Sequence, residues 1–246
     1  MTRSLKNRTA LVTGSAVRVG RAIVLGLAER GCRVIVHYNR SREEAEQSVA
    51  EAQAHGVEAI AVSADLSDPA ATAAHLFREA SEQGMSPDIL INNASIFAAG
   101  TLTETDEALW DRQQTVNLKA PFFLCREFAR QLGIARQGDI INLCDWRGLQ
   151  HPPGHDAYTL SKAGLVALTN MLAQELAPMI RVNGIAPGAI LPPVDGSIDF
   201  EQRARDFIPL KQTGSPADIV HGVLYLLEAE FVTGEMLRIS GGEGVS

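Results

Sequence analysis

The sequence of 246 residues is short of cysteine, of positive charge and of long apolar runs. Its three cysteines, Cys32, Cys125 and Cys144, are odd in number and far apart in apolar settings, so we expect buried reduced thiols instead of disulfides. Lysine and arginine total 22 against 29 acidic residues, and the net charge of −7 argues against a nucleic-acid partner. No apolar run reaches the roughly 18 residues that cross a bilayer, and the N-terminus lacks the apolar core of a signal peptide. We expect a soluble, cytoplasmic protein with no membrane partner.

Short apolar runs alternate with segments of helical periodicity along the whole chain. Hydrophobic residues make up 46% and charged residues 21% of the sequence, both ordinary values for a globular protein. Strands are predicted at 9–13, 33–38, 58–63, 89–91, 139–143, 180–185 and 236–239. Apolar strands separated by helices are typical of a parallel sheet covered on both faces. We therefore predict an α/β protein with a parallel seven-stranded sheet in one doubly wound domain, 1–246.

The predicted helices carry recognisable start signals. Ser41 and Glu44 have capping-box spacing, and Asp68-Pro69 and Ser215-Pro216 are typical first residues of helices. A break is expected near Pro121, within the longest predicted helical stretch. The first helix is predicted from the glycine turn to residue 30, and the second from its cap at 41 to 56. The others are predicted at 68–84, 105–131, 156–177, 199–207 and 216–229.

A glycine turn joins the first strand to the first helix. It runs from Thr13 to Gly20, and its backbone N–H groups could approach a pyrophosphate, although an ordinary strand–helix turn also uses glycine. Arg18 stands where a dinucleotide-binding turn often has its middle glycine. No acid follows the second strand before Glu43; instead Arg40 lies twenty residues after Gly20. Because a guanidinium pairs with a 2′-phosphate and a carboxylate repels it, we predict NADPH over NADH.

Further residues are expected to border the cofactor. Arg18, His37 and Arg40 are predicted to form a basic pocket for one phosphate. Asp65 follows the third strand and could either accept from an adenine amino group or cap a loop. The full predicted cofactor set comprises Gly14, Arg18, Val19, Gly20, His37, Tyr38, Asn39, Arg40, Ser41, Asp65, Leu66, Asn93, Ala94, Ser95, Tyr158, Lys162, Pro187 and Gly188.

Tyr158 and Lys162 are four residues apart at the start of a predicted helix, so their side chains share one face. A neighbouring ammonium favours a phenolate and would bring the pKa of the tyrosine toward neutral pH. The pair could then exchange a proton with a substrate. The spacing alone is also common on solvated helix faces.

The ordered motifs of the chain resemble the short-chain dehydrogenase/reductase family. They are TGSAVRVG at 13–20, Asn92-Asn-Ala, Asn117, Tyr158-x-x-x-Lys162 and Pro187-Gly188. The resemblance implies a Rossmann-type sheet, a homotetramer and no metal. It also implies that Tyr158 is the proton donor, that Lys162 holds the nicotinamide ribose, and that Asn117 supports a water linking Lys162 to solvent.

Departures from the family pattern point to a subgroup. Asp145 stands thirteen residues before Tyr158, where most members have a serine, and its charge would repel an incipient alkoxide. The subgroup that the chain resembles is that of the pteridine reductases and the bacterial dihydromonapterin/dihydrofolate reductases, through Arg18, HisTyrAsnArgSer at 37–41, AsnAlaSerIlePhe at 93–97 and Asp145. That resemblance implies that Phe97 stacks on a pterin, that Ser95 contacts cofactor phosphate and pterin, and that Asp145 helps Tyr158 to protonate the ring.

The sequence thus favours an NADPH-dependent reductase of a dihydropterin or dihydrofolate. Two alternatives stay open: a carbonyl or 3-oxoacyl reductase, which Asp145 opposes, and a non-catalytic NADP(H)-binding sensor, which Tyr158 and Lys162 oppose. The substrate loop is expected at about 189–208 and is short, which predicts an open cleft. Four residues near the site are interpreted as loop packing or solvated charge: Trp146, Arg147, His151 and His155.

Overall fold

A computed structural model describes residues 3–134, 136–192 and 200–245. Seven parallel strands form one sheet in the order β3-β2-β1-β4-β5-β6-β7. Their bounds are β1 Thr9–Val12, β2 Arg33–Tyr38, β3 Ala59–Ser63, β4 Ile89–Asn92, β5 Gly138–Leu143, β6 Ile180–Pro187 and β7 Met236–Ile239. The predicted α/β class and the parallel seven-stranded sheet are confirmed.

Helices cover both faces of this sheet. They are α1 Arg18–Glu29, α2 Arg42–Ala54, α3 Pro69–Glu82, α4 Glu107–Gln114, α5 Ala120–Leu132, α6 Arg147–Gln150, α7 Asp156–Glu175, α8 Phe200–Phe207 and α9 Pro216–Glu228. One hydrophobic cluster joins α1, α2 and α9 to the sheet, and a second joins α3, α5 and α7 to its other face. No helix in the described ranges is both long and apolar enough to cross a membrane.

β1 shows how the sequence produces this layering. All four of its residues are buried, because a central strand of a parallel sheet contacts helices on both sides. Ala10 and Val12 pack into the first cluster and Leu11 into the second, as the two-residue period of a strand requires. The chain order reverses at β1, whose neighbours are β2 and β4, so a crevice opens beyond the carboxyl ends of these strands.

The predicted caps differ in outcome. Ser41 makes no side-chain cap hydrogen bond, so the expected capping box at α2 is wrong; its backbone, at φ −84° and ψ 65°, lies outside the extended region that N-caps adopt. Asp68 also makes no side-chain cap bond, although Pro69 begins α3 as expected. At α9 the carboxylate of Asp218 accepts from the Ser215 backbone N–H at 2.7 Å, which satisfies one free donor of the helix start.

The regular α-helix is interrupted just before Pro121, near the expected break, although the chain stays helical there. Thr115–Lys119 forms a π-helical turn that joins α4 to α5, and Pro121 lies in the first turn of α5. The N–H of Ala120, just before Pro121, donates to the Thr115 carbonyl oxygen, so helical hydrogen bonding continues through the π turn into α5. Asn117 lies inside the π turn and is completely buried.

The three cysteines are buried and free, as predicted. Burial raises the pKa of each thiol to about 12, so all three are protonated and unreactive at neutral pH.

Candidate active site

A cavity of about 1010 Å³ opens beyond the carboxyl ends of the central strands. This volume is at the upper end for ligand sites, which leaves room for more than one small molecule. Ten of the predicted site residues line it: Arg18, Val19, Asn93, Ser95, Phe97, Asp145, Tyr158, Lys162, Pro187 and Gly188. The structure therefore brings the proposed reacting group and part of the proposed cofactor group to one cavity.

The glycine turn is packed tightly against the loop after β4. Gly14 has φ +60°, and a Cβ on it would lie 3.0 Å from the Cα of Ala94. A Cβ on Gly20 would lie 2.4 Å from the Gly14 carbonyl oxygen, so a side chain fits at neither position. The Asn93 side chain donates to the carbonyl oxygens of Thr13 and Gly14 at 2.8 and 3.0 Å, which fixes the shape of the turn.

His37 does not belong to the predicted basic pocket. It is 2% exposed; its Nδ1 accepts from the Gly14 N–H at 3.0 Å, and its Nε2 lies 3.2 Å from the Ala64 carbonyl oxygen. Burial lowers the pKa of His37 to about 4, so the ring is uncharged at neutral pH. Its position on β2 therefore serves the glycine turn. Of the two other predicted cations, Arg18 lines the cavity and Arg40 is exposed beyond β2.

The other residues after β2 and β3 are distributed around this end of the sheet. Tyr38 and Leu66 are buried, whereas Asn39 and Arg40 are exposed and Ser41 is half-buried. Asp65 accepts from the Ser67 N–H at 2.9 Å, and this bond lowers the pKa of its carboxyl. Of the two roles left open for Asp65, the loop cap is the one that the hydrogen bonds display.

Arg18 reaches across the mouth of the cavity. Its backbone is left-handed, at φ 55°, and its Nη2 donates to the carbonyl oxygen of Pro192 at 2.8 Å. Arg18 therefore links the glycine turn to the loop that follows β6. The same guanidinium lines the cavity and presents its remaining donors there.

Tyr158 and Asp145 are directly paired. The Tyr158 hydroxyl donates to Asp145 Oδ2 at 2.8 Å, and Asp145 Oδ1 accepts from the Arg147 N–H at 2.7 Å. Burial raises the pKa of Asp145. Burial and the adjacent Asp145 carboxylate raise the pKa of Tyr158 well above its ordinary value. The expected lowering of the tyrosine pKa by Lys162 is therefore wrong for this structure, and the pair holds its proton at neutral pH.

Lys162 is buried below the tyrosine. Its Nζ donates to the Leu143 carbonyl oxygen at 2.8 Å and lies 5.7 Å from the centre of the Tyr158 ring. Burial lowers the pKa of Lys162. The ammonium thus lies at the end of β5, on the cavity wall and close to the phenol, without touching its oxygen.

Asn117 holds the loop that carries Ser95. Its Oδ1 accepts from the Ile96 N–H at 2.9 Å and from the Ser95 hydroxyl at 3.1 Å. Its Nδ2 donates to the Ile96 carbonyl oxygen at 2.9 Å and to the Ser161 hydroxyl at 3.1 Å, one residue before Lys162. Asn117 therefore positions the loop after β4 relative to α7.

Phe97 forms an exposed aromatic surface above the tyrosine. Its ring stacks on His155 with centroids 4.4 Å apart and meets the Tyr158 ring edge-on at 4.7 Å. The Arg147 guanidinium lies 6.0 Å from the Phe97 ring centre and 4.9 Å from that of Trp146. Half of the Phe97 side chain stays exposed. A flat ring could stack in this position.

Sequence reasoning missed part of this wall. Trp146, Arg147 and His155 line the cavity, although they were interpreted as loop packing or solvated charge, whereas His151 is exposed. Trp146 and Arg147 directly follow Asp145, and His155 lies three residues before Tyr158. This closeness to predicted site residues could have indicated that they line the cavity, because binding sites form at the carboxyl ends of parallel strands. His155 makes the closest ring contact with Phe97.

The loop after β6 is held from the C-terminal end of the chain. Arg203 on α8 forms an ion pair with the buried carboxylate of Glu243. Glu243 also accepts from the Ala189 N–H at 3.2 Å. The expected substrate loop at 189–208 lies partly outside the described residues, since 193–199 are not described. Its two described ends both border the cavity, through Ala189 and Arg203.

The family model for short chain dehydrogenases matches residues 8–202. The protein belongs to the short-chain dehydrogenase/reductase family and is an NAD(P)-dependent oxidoreductase. Among the described residues, no group of three or more histidine, cysteine or acidic side chains could hold a metal ion.

Several known proteins are similar over nearly the whole chain. A 3-oxoacyl-[acyl-carrier-protein] reductase of Staphylococcus epidermidis is 36% identical, over 96% of this chain and 98% of its own. The crystal structure of the alternative dihydrofolate reductase FolM of Brucella canis, complexed with NADP, has a TM-score of 0.93 and 36% identity, covering 100% of this chain and 97% of its own. The FolM of Brucella suis, also with NADP, has a TM-score of 0.92 and 37% identity, with 98% and 97% coverage.

Proposed function

We propose that this protein is an NADPH-dependent reductase of pteridines, which converts a dihydropterin or dihydrofolate to the tetrahydro form. The observation that carries the proposal is the hydrogen bond of 2.8 Å between Tyr158 and Asp145, where most family members have a serine. The structural similarity to the FolM proteins supports the same substrate class.

Reduction of a ring C=N bond requires a hydride at carbon and a proton at nitrogen. Bound NADPH supplies the hydride. Asp145 and Tyr158 hold the proton, because burial raises the pKa of both groups and the hydrogen bond lets them share it. As the ring nitrogen gains electron density, the pair delivers its proton there, and solvent restores it afterwards.

Phe97 and Ser95 provide the surface for the flat substrate. The exposed part of the Phe97 ring offers an apolar platform directly above Tyr158. Offset stacking of a heteroaromatic ring on such a platform contributes roughly 0.5–1.5 kcal/mol beyond the burial of area. Ser95, fixed by Asn117, presents a hydroxyl at the same wall.

The cofactor end fits a dinucleotide that carries a 2′-phosphate. Gly14 and Gly20 let the turn pack tightly between β1 and α1, and a turn of this kind at a helix N-terminus is a site where backbone N–H groups bind a pyrophosphate. Arg18 lines the cavity and Arg40 is exposed beyond β2, where either guanidinium could pair with a phosphate. In this proposal Lys162 holds the nicotinamide ribose, and Pro187 and Gly188, which line the same cavity, border the cofactor.

Reduction of a 3-oxoacyl group is the second candidate, because the Staphylococcus epidermidis relative is named for it. Ketone reduction passes through a developing alkoxide, which needs hydrogen-bond donors around it. Most family members have a serine hydroxyl to donate at this position, whereas both oxygens of Asp145 accept, one from the Tyr158 hydroxyl and one from the Arg147 N–H. The third possibility is a non-catalytic NADP(H)-binding sensor. The presence of both Tyr158 and Lys162 argues against it, because a sensor does not need a proton donor.

NADPH oxidation with a substrate panel tests the proposal. Dihydrobiopterin, dihydromonapterin and dihydrofolate are compared with a set of ketones and a 3-oxoacyl thioester. We expect turnover with at least one pteridine and none with simple ketones. Turnover with ketones or the thioester alone refutes the proposal, and inactivity with every compound favours the sensor hypothesis.

We also propose that the protein assembles as a homotetramer. Large apolar side chains are exposed on neighbouring helices, which is unusual for a monomer when they form a patch. They are Trp110 on α4, Phe122 on α5, and Leu160 and Met171 on α7. Light scattering after gel filtration measures the mass in solution, and a monomer at micromolar concentration contradicts the proposal.

A further inference from the structure

The cavity wall is positively charged in a protein of net charge −7. Its described lining residues include four cations and a single acid, Asp145; the cations are Arg18, Arg147, Lys162 and Arg203. In the proposed function, Arg18 and Lys162 face the cofactor and Asp145 faces the ring nitrogen. Neither Arg147 nor Arg203 then has a part in binding the cofactor or the ring.

Arg147 and Arg203 lie on the substrate side of the cavity. Arg147 lies 6.0 Å from the centre of Phe97, and Arg203 projects into the same cavity from α8. Burial lowers the pKa of His155, and the charges of Arg147 and Arg203 lower it further. Both guanidinium groups therefore act on the imidazole that covers Phe97.

The two arginines differ in how far their charge is already neutralised. Arg203 pairs with Glu243, whereas Arg147 has no ion-pair partner within the described ranges 3–134, 136–192 and 200–245. Arg147 instead lies over the Trp146 ring, with its guanidinium carbon 4.9 Å from the ring centre. A planar guanidinium fixed on an indole keeps its edge donors available to an oxyanion.

We propose that Arg147, assisted by Arg203, binds an anionic group at the end of the substrate side chain, so that the preferred pteridine carries carboxylates or a phosphate. A substituent on a ring stacked against Phe97 lies within reach of a guanidinium 6.0 Å away. This inference rests on the proposed function and names the substrate class more closely. A substrate with a neutral side chain would offer Arg147 no anionic group with which to pair.

Two matched substrate pairs test the inference. 7,8-Dihydroneopterin is compared with its monophosphate, and dihydrofolate with its dimethyl ester, so that the two members of each pair share the ring and differ in the charge of the side chain. At low salt we expect kcat/KM to be about tenfold higher for the charged member, the usual scale of a charge-assisted hydrogen bond. The preference should shrink at high ionic strength, because salt screens such contacts. Preference within one pair only identifies whether the anion is a phosphate or a carboxylate.

Single substitutions test whether Arg147 causes the preference for the charged substrates. Arg147→Gln should reduce the charged-to-neutral ratio at least about fivefold, and Arg147→Lys should retain part of it. The ratio is the relevant readout, because Arg147 also acts on Asp145 and its loss changes the rate with both substrates. Arg205→Gln removes a positive charge from an exposed position of the same helix α8, outside the cavity lining, and should leave the ratio unchanged.

The outcomes separate the two proposals. If no pteridine is reduced, the proposed function fails and this inference fails with it. If both members of each pair are reduced with equal efficiency, the proposed function stands and the inference is overturned. An unchanged ratio in Arg147→Gln also overturns the role of Arg147. If a variant does not fold, the inference is still tested by the unmodified protein, whose preference for the charged substrates should shrink as the ionic strength rises.

Discussion

Replacing Asp145 by asparagine removes a group that can bind and release a proton, with little change of shape. The asparagine Oδ1 can still accept from the Arg147 N–H, a bond of 2.7 Å in the structure. The amide nitrogen replaces Oδ2, which accepts from the Tyr158 hydroxyl at 2.8 Å. The acid–phenol pair is lost, while the backbone contact of the loop is kept.

We expect Asp145→Asn to reduce kcat/KM for a dihydropterin by about 10²–10⁴, the usual contribution of a general acid, which corresponds to about 3–5 kcal/mol of the barrier. The pH profile should change as well. Because the pKa of Asp145 is raised and its protonated form is required, the rate of the parent protein falls as the pH rises through that pKa. The variant should lack this decline.

The same substitution should stabilise the fold. A carboxyl whose pKa is raised in the folded state makes the fold less stable as the pH rises above the unfolded value of 3.8, so Asp145 lowers the free energy of unfolding at neutral pH. Asparagine removes this penalty, and each kcal/mol recovered raises Tm by about 2–4 °C in a chain of this size. Asp206→Asn, at an exposed position on α8, is the control.

Steady-state NADPH oxidation over pH, together with thermal unfolding, measures both effects. Pteridine turnover within about threefold of the parent protein refutes the role of Asp145 as an acid, since such a change is under 1 kcal/mol. Lost activity with a lowered Tm would indicate a damaged site instead of a missing proton.

Three further predictions concern other parts of the site. Tyr158→Phe should lower turnover by at least about 10² while NADPH still binds, as measured by fluorescence titration; retained turnover contradicts its role as proton donor. Arg40→Gln should lower the NADPH-to-NADH ratio of kcat/KM by about tenfold, and Arg42→Gln, also exposed, should not; equal effects contradict the phosphate contact. The pKa of His37 is about 4, below its unfolded value of 6.5, so the free energy of unfolding should fall by roughly 3 kcal/mol between pH 7 and pH 4. His37→Gln should flatten this loss in urea titrations and His55→Gln, at an exposed position, should not; a parallel loss in both variants contradicts the assignment.

The sheet could be predicted from the sequence because each strand is a short apolar run. Leu11 and its neighbours in β1 are buried from both sides, which leaves a signal in the chain itself. Tyr158 and Lys162 could also be predicted, because they lie four residues apart on one helix and their pairing depends on that segment alone. Asp145 could be predicted from its position thirteen residues before Tyr158, and in the structure the Tyr158 hydroxyl lies 2.8 Å from Asp145 Oδ2.

The features that were missed depend on contacts distant in sequence. The charge state of His37 is set by Gly14 and Ala64, which lie 23 and 27 residues away. Arg203 and Glu243 are 40 residues apart, and nothing local marks them as partners. Histidine and arginine are also frequent in solvated loops, so their types alone do not separate a cavity wall from a surface.

The π turn at Thr115–Lys119 sets the phase between two helices. Each residue of an α-helix advances about 100°, so one additional residue rotates α5 relative to α4 by that angle. The rotation allows α5 to bury Leu124 and Phe128 against the sheet while Asn117 points to the loop after β4. Deleting one residue here would restore a regular helix and turn one of those two faces away. The length of this segment is therefore constrained as strictly as its composition.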